Sequence, residues 1–459
     1  MNRTFPSERV CLLIALAAGA LLRLPILLNA PAIELDGIGY ATMADDFTRG
    51  LFGRALSSVF PPVYPLSVAL LHLAIPDVEL AGRLVSFAFG ILLIYVSFLF
   101  AKRLLRDDTK ALWAAILLAL QPYLIRYSGQ VLSESLATFL FATTVFTFYI
   151  GWQDGRRGYI AASGLCLTLT YLTRPEYVVF YAPFLLYLWA RRRILESLLF
   201  LLPFLLLGSL YMGYLWSQTG VWMVSRKAML SPFVPLKAFF GNVPIVSFEF
   251  FVAIFPLFFF FAVFGLKKIE KPYRNLFLVL VICHILSLSF VSHATRRYSV
   301  EFIPISIVFV VEGIYAVRAY LGRTFPGRRS LYHAMVVLVV CASLFQSFTP
   351  AVRSERGLHK KAGLFLLRYD PGSVVASRLP LVAFYEKGTP VELVPHAPKD
   401  RTISHFFLIM AEKKVKYVAL DEEAQRLLPD LAAYLSKSAP LKEFREKGAF
   451  VSIYRVGGG

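Results

Sequence analysis

Long runs of apolar residues, separated by short charged stretches, dominate the chain up to about residue 350. Val10 to Leu28 and Phe248 to Leu266 are two examples. A helix rises about 1.5 Å per residue, so roughly 20 apolar residues cross a hydrocarbon core of about 30 Å. The pattern predicts about eleven membrane spans, near residues 9 to 29, 83 to 102, 111 to 126, 133 to 151, 159 to 173, 175 to 190, 194 to 215, 248 to 266, 275 to 292, 298 to 317 and 331 to 349.

The pattern changes beyond residue 350, where charged residues return and short apolar stretches alternate with polar ones. We predict a polytopic all-α transmembrane module over residues 1 to 350, followed by a soluble α/β domain over residues 351 to 459. Within that domain the pattern predicts helices over Gly357 to Arg368 and Ile403 to Lys413, and strands over Ser373 to Ser377, Val415 to Leu420 and Phe450 to Tyr454.

The first predicted loop, residues 30 to 82, contains an apolar piece from Tyr64 to Ile75 that is too short to span a bilayer. Prolines flank it on both sides, at Pro61, Pro62 and Pro76. We therefore predict a helix that lies along the membrane interface.

Charge gives the predicted spans a direction. The net charge of +19 accompanies a hydrophobic share of 57%, and the basic residues form short clusters between apolar runs. Such clusters favour cytoplasmic loops over nucleic-acid binding. The positive-inside rule, by which basic loops stay in the cytoplasm, then predicts a cytoplasmic N-terminus and an extracytoplasmic C-terminal domain. We expect the protein in a cell membrane, which in a bacterium is the inner membrane. The clusters are Lys102 to Lys110, Arg156 with Arg157, Arg191 to Arg193, Lys267 to Arg274, and Arg318 to Arg329.

The metal-binding residue types form no recognisable site in the sequence. The four cysteines all lie inside apolar runs without paired spacing, and the seven histidines include no His-x-x-x-His pair. The sequence therefore indicates no particular cofactor, and a divalent metal stays open.

A carboxylate beside an apolar span is costly and is usually retained for function. Asp36 follows the first span and is surrounded by small residues in Glu34-Leu-Asp36-Gly-Ile-Gly-Tyr40. A sugar-transfer site needs such a base, because an acceptor hydroxyl attacks poorly until its proton is removed. The alternative is a hydrated loop aspartate that caps a helix.

Glu134 begins the fourth predicted span and belongs to the same predicted membrane face as Asp36. Two carboxylates at one face can divide the roles of base and orienting group. The alternative is that Ser133 caps the helix and Glu134 occupies its favourable first turn.

Basic residues on the predicted outer side are a third candidate feature, because the topology rule predicts few there. Their guanidinium groups suit a lipid-linked phosphate, although ordinary anionic headgroups are an equal alternative. In Thr173-Arg-Pro-Glu176 a structural ion pair is favoured over a substrate contact. The segment His293 to Tyr298 either binds a phosphate and a sugar hydroxyl or anchors its helix. The outer basic residues are Arg49, Arg54, Arg83, Arg126, Arg174, Arg226, Lys227, Lys237, Arg296 and Arg297.

Taken in order, these features resemble the GT-C glycosyltransferases, specifically the bacterial group similar to protein O-mannosyltransferases and the lipid A aminoarabinose transferase. The resemblance covers nearly the whole chain. It depends on Asp36 to Tyr40, Phe60-Pro-Pro-Val-Tyr64-Pro, Glu79-Leu-Ala-Gly-Arg83-Leu, Leu132-Ser-Glu134, Thr173-Arg-Pro-Glu176, Arg297-Tyr298 with Pro304, and the α/β tail.

The resemblance implies a polyprenyl-phosphate sugar as donor and transfer on the outer face with inversion, to a hydroxyl or phosphate group of a lipid, glycan or protein acceptor. It implies that Asp36 is the base and Glu134 the second acid, with Gly37 where relatives have a second acidic residue. Arg83, Arg297 and Tyr298 would bind the donor phosphate. The remaining candidate substrate-binding residues are Tyr40, Tyr64, Arg126, Arg174, Glu176 and His293.

Three other functions remain open at this point. One is a non-enzymatic membrane sensor with the C-terminal tail as its receptor, which would leave Asp36 and Glu134 unexplained. A lipid or glycan transporter would also need many spans, but its site would usually lie near the midplane on broken helices. A glycan ligase or polymerase of related architecture would have a large outer loop late in the bundle. The acidic and basic candidates gather at one predicted face, which favours the transferase.

Overall fold

The computed structural model describes residues 8–226, 234–291, 295–325, 329–348, 354–395 and 401–456. Contacts divide the chain into two compact units. The membrane unit contains residues 1–28 and 39–349, and the soluble unit contains residues 29–38 and 350–459. The short stretch 29–38, which lies early in the sequence, thus groups with the C-terminal domain.

Among the described residues, eight helices are long and apolar enough to cross a bilayer, and the chain is an integral membrane protein. Seven of them coincide with predicted spans. The eight are Glu8–Asn29, Val78–Leu105, Glu134–Asp154, Ile194–Thr219, Leu236–Ile254, Lys271–Ser289, Phe302–Thr324 and Ser330–Phe348.

Three further predicted spans form shorter helices. The segment 111 to 126 is divided into Asp108–Leu120 and Pro122–Tyr127, because a residue before proline avoids the helical conformation and Gln121 is extended. The segment 159 to 173 forms Arg157–Tyr171. The segment 175 to 190 is a 3-10 turn, Pro175–Phe180, followed by Tyr181–Trp189.

The prediction of a single span over residues 248 to 266 is wrong, because two separate helices cover this segment. Its first part belongs to the helix Leu236–Ile254, whose first turns were predicted to be loop. Phe255 then has a φ of 74°, and a separate helix, Pro256–Gly265, begins at the next residue. Hydropathy alone joined two helices across a proline, which removes a backbone donor and excludes the preceding residue from the helical region.

The predicted interfacial piece is a helix, Val63–His72, with Tyr64, Pro65, Val68 and Ala69 buried. The loop also contains helices Leu35–Thr48 and Phe52–Leu56. Asp77 ends the loop, and its carboxylate accepts the amide N–H groups of Glu79 and Leu80, which caps the second long helix.

Glycines allow two helices of the membrane unit to approach very closely. Gly265 of Pro256–Gly265 lies against Phe309, and Gly313 lies against Phe261. A Cβ atom at Gly313 would lie 1.8 Å from the Phe261 carbonyl oxygen. Small residues at such crossings give membrane helices their packing energy.

The soluble unit contains a five-stranded sheet in the order β2-β1-β3-β5-β4. The three strands at one side are parallel and β3, β5 and β4 are antiparallel. The strands are β1 (Val374–Ser377), β2 (Thr389–Glu392), β3 (Tyr417–Asp421), β4 (Lys442–Glu446) and β5 (Ala449–Arg455).

Helices surround this sheet, and the predicted helix Ile403 to Lys413 is confirmed at both ends. The prediction of Gly357 to Arg368 is confirmed within the longer Ser354–Tyr369. The edge strands β2 and β4 were not predicted, because neither has a fully buried residue and their apolar pattern is weak. The other helices are Leu381–Glu386, Glu422–Leu427 and Pro429–Leu435.

Candidate functional site

The membrane unit gathers charged side chains from three separate parts of the chain around Glu134. This residue begins the helix Glu134–Asp154 and is 1% exposed. Its Oε1 atom accepts a hydrogen bond from Nη1 of Arg174 at 3.0 Å and another from Nε of Arg297. Its Oε2 atom is buried and has no hydrogen-bond partner among the described residues.

As in the alternative, Ser133 occupies the N-cap position and Glu134 the first turn of this helix, but the Ser133 side chain makes no capping hydrogen bond. The Ser133 hydroxyl instead lies 3.0 Å from the hydroxyl of Tyr40. The Tyr40 ring packs against the Tyr64 ring with centroids 4.9 Å apart. Tyr40 thus lies beside the residue that precedes Glu134, and Tyr64 packs against Tyr40.

Arg174 is the most buried cation of this group, with a side chain that is 4% exposed. The favoured ion pair with Glu176 is present, with Nη2 and Oε1 2.7 Å apart. Oε1 of Glu301 lies 3.5 Å from Nε of Arg174. The centroid of the Tyr298 ring lies 5.0 Å from Cζ of Arg174. We call Glu134, Arg174, Glu176, Arg297 and Glu301 the carboxylate–arginine cluster.

Sequence reasoning missed Glu301, which is 0% exposed at the start of the helix Phe302–Thr324. An acidic residue that enters a long apolar run was the available signal. Burial raises the pKa of Glu301, against the opposing attraction of Arg174. With Glu301 included, the cluster has three carboxyl groups around two guanidinium groups.

The two arginines of the cluster differ in accessibility. The side chain of Arg297 is 29% exposed and that of Arg174 is 4% exposed. Because three carboxylates surround the buried guanidinium of Arg174, this residue holds the cluster together. Arg297, whose Nε atom donates to Glu134, is the more exposed of the two guanidinium groups.

The other candidate arginines have internal partners. Arg83 is buried, pairs with Glu79 and donates from Nη1 to the Leu27 carbonyl oxygen at 2.9 Å. Arg126 donates from Nη2 to the carbonyl oxygen of Gln346 at 3.2 Å. Both contacts join helices, so the geometry gives these residues packing partners, and their roles toward a substrate stay predictions.

Asp36 lies in the first turn of the helix Leu35–Thr48 and is half-buried. It belongs to the stretch that groups with the soluble unit, where Glu34 forms an ion pair with Arg356. The prediction that Asp36 and the outer arginines share one pocket concerns two separate units and stays a prediction. His293 and Lys227 lie outside the described residues.

No group of three or more histidine, cysteine or carboxylate side chains that could hold a metal ion occurs in the described parts of the chain.

Comparison with known proteins gives these residues a context. Residues 60–216 match the family model described as dolichyl-phosphate-mannose-protein mannosyltransferase. This segment contains six residues of the candidate set, namely Tyr64, Arg83, Arg126, Glu134, Arg174 and Glu176. No curated protein sequence matches the chain.

Solved structures resemble the chain along nearly its whole length. ArnT from Cupriavidus metallidurans in the apo state is 13% identical with a TM-score of 0.65, and the match covers 98% of each chain. The same protein bound to undecaprenyl phosphate is 12% identical with a TM-score of 0.65 and covers 97% of each chain.

A third structure is more distant in shape. The oligosaccharyltransferase AglB from Archaeoglobus fulgidus, in complex with an inhibitory peptide and a dolichol-phosphate, is 13% identical with a TM-score of 0.58. The match covers 97% of this chain and 74% of that one. The chain therefore has the GT-C fold of membrane glycosyltransferases, and it is similar to ArnT and to the mannosyltransferase family.

Proposed function

We propose that this protein is an integral membrane glycosyltransferase that moves a sugar from a polyprenyl-phosphate carrier to an acceptor at the extracytoplasmic face. The observation that carries the proposal is the fold likeness, over almost the whole chain, to a transferase solved with undecaprenyl phosphate. The partly exposed guanidinium of Arg297 beside buried Glu134 supports it, because a guanidinium fork matches the geometry of a phosphate group.

The proposed reaction is a displacement at the anomeric carbon. An acceptor hydroxyl oxygen forms the new glycosidic bond, the bond from carbon to the phosphate oxygen breaks, and polyprenyl phosphate leaves with the electron pair. Asp36 accepts the hydroxyl proton, an effect worth roughly 10²- to 10⁴-fold in rate. Attack opposite to the leaving group inverts the anomeric centre.

Arg297 acts on the other side of this reaction. The leaving phosphate gains negative charge in the transition state, and a preoriented guanidinium stabilises that charge. Glu134 orients Arg297 and, being almost fully buried, is a positioning residue.

Binding of undecaprenyl phosphate tests this role of Arg297. In detergent, we expect Arg297→Ala to weaken binding by roughly ten- to a hundredfold, the usual effect of losing a hydrogen bond to a charged group. Arg296→Ala is the matched control, because Arg296 is next to Arg297 in the sequence but pairs with Glu249. Equal affinity of the two variants would contradict the assignment.

Chemical labelling tests the proposed face. In a variant whose four cysteines are serines, we expect Lys437→Cys, an exposed site of the soluble unit, to react with a membrane-impermeant maleimide in intact cells. Lys267→Cys, in a predicted cytoplasmic cluster, should react only after permeabilisation. The reverse pattern would place the transfer site on the cytoplasmic side.

A further inference from the structure

The stretch that carries Asp36 is attached to the C-terminal domain by specific contacts. The backbone N–H of Ile33 donates to the hydroxyl oxygen of Tyr385 at 2.8 Å. Glu34 forms an ion pair with Arg356, whose side chain is only 7% exposed. The main chain is close as well, since a Cβ atom at Gly357 would lie 3.5 Å from Cβ of Pro31.

These contacts fix the stretch immediately before the helix Leu35–Thr48. Ile33 and Glu34 precede that helix, and the N–H of Ile38 donates to the Glu34 carbonyl oxygen, so Glu34 is part of its first hydrogen-bonded turn. A helix turns about 100° per residue, hence restraining Glu34 also sets the direction in which Asp36 projects.

The partners of this stretch are not its neighbours in sequence. Ile33 and Tyr385 are 352 residues apart, and Glu34 and Arg356 are 322 apart. Both partners lie in helices of the soluble unit, Leu381–Glu386 and Ser354–Tyr369. A domain that served only as a separate receptor would not need to bind this early loop.

We propose that the soluble domain positions the carboxylate of Asp36 through Arg356 and Tyr385, and that it is thereby part of the catalytic apparatus. The proposal rests on the proposed function of Asp36 as the base. Arg356 and Tyr385 are positioning residues, because they act through Ile33 and Glu34. A displacement of about 1 Å at a reacting group lowers the rate by roughly a hundredfold.

Hydrogen exchange of the intact protein in detergent tests the attachment without any substrate. Tyr385→Phe removes one oxygen and keeps the ring, and we expect the Ile33 amide to exchange roughly fivefold faster. Arg356→Gln should accelerate exchange across residues 29–38 by roughly tenfold. Lys361→Gln is the control, because Lys361 lies on the same helix and forms an exposed pair with Glu446. Unchanged exchange in both test variants would overturn the proposal.

Transfer is measured in cells that lack the native protein, as the recovery of the glycan or lipid species that disappears on deletion. We expect Tyr385→Phe and Arg356→Gln to lower recovery at least tenfold, and the paired exchange Glu34→Arg with Arg356→Glu to restore part of it. Lys361→Gln should behave as wild type. Tyr385→Phe keeps the test decisive if the arginine variant does not fold.

Asp36→Asn separates this inference from the proposed function. If Asp36→Asn is inactive while Tyr385→Phe and Arg356→Gln transfer normally, Asp36 is the base but the domain does not position it. If Asp36→Asn is fully active, the assignment of the base fails regardless of the attachment.

Discussion

Asp421 in the soluble unit and Glu134 in the membrane unit are both 1% exposed, and each contacts arginine. Both oxygens of Asp421 are used. Oδ1 accepts the N–H of Ala424 at 2.7 Å, and Oδ2 lies 2.7 Å from Nε of Arg378 and 3.0 Å from Nε2 of His359. In Glu134 the two arginines share Oε1, while the buried Oε2 has no hydrogen-bond partner among the described residues.

The difference agrees with the proposal that Glu134 orients Arg297, whereas Asp421 stabilises the fold around it. Asp421 ends β3 and caps the helix Glu422–Leu427, so its contacts satisfy the backbone that surrounds it. A buried oxygen without a partner is unusual in a native protein and needs an explanation. Glu134 fits that description, and it adjoins the accessible Arg297.

Glu134→Ala is expected to have the largest effect on stability. It leaves buried Arg174 with less compensation, and breaking a buried pair costs about 3–5 kcal/mol. Thermal unfolding in detergent measures the loss. Glu249→Ala is the control, because the Glu249 side chain is 22% exposed and its partner Arg296 is 49% exposed. If both variants lose equal stability, the ion pairs of Glu134 contribute no more than an exposed pair does, which would contradict this prediction.

Gly313→Ala extends the comparison from charges to close packing. The added methyl group would meet a backbone oxygen at 1.8 Å, and we expect a loss of about 1–3 kcal/mol or more. Gly363→Ala in the soluble unit meets the Val382 oxygen at 2.6 Å and should cost less. Gly322→Ala, with no atom within 4 Å, is the control. A Gly313→Ala protein that melts like the control would contradict the packing.

The smallest expected effect is a pH dependence at Asp421. Burial alone would raise its pKa, but His359, the Ala424 amide and Arg378 hold the pKa below its ordinary value. Stability from this group is therefore fully present above the unfolded pKa of about 3.9 and is lost as the pH falls through the lower folded value.

Hydrogen exchange of the β5 amides, corrected for intrinsic rates, measures this dependence in the intact protein. Asp421→Asn should remove the pH-dependent part of protection below pH about 4, since it no longer titrates. Asp430→Asn, at an exposed position of the helix Pro429–Leu435, is the control. An identical pH profile for wild type and Asp421→Asn would contradict the assignment.

The sequence predicted features that depend on local patterns. Apolar run length located most long helices, and periodicity located Ile403–Lys413 and three of the five strands. It failed where one residue overrode hydropathy, as Pro256 did by dividing the span predicted over 248 to 266.

Within the candidate site, the sequence identified Glu134, Arg174 and Arg297 as charges out of place in an apolar chain. The sequence could not show that one oxygen of Glu134 accepts hydrogen bonds from both arginines, because the three residues belong to different elements. It also could not predict that the Asp36 stretch binds the C-terminal domain. Ile33 and Tyr385 are brought together only by the fold.

The most direct test of the account is sugar transfer by the Asp36→Asn protein. Membranes of cells that lack the native protein are given wild type or Asp36→Asn at equal folded amounts, and covalent attachment of labelled sugar to the endogenous acceptor is measured. We expect transfer by wild type and a loss of at least about a hundredfold in the variant. Undiminished attachment by Asp36→Asn, or translocation of labelled lipid by wild type without any covalent product, would contradict it.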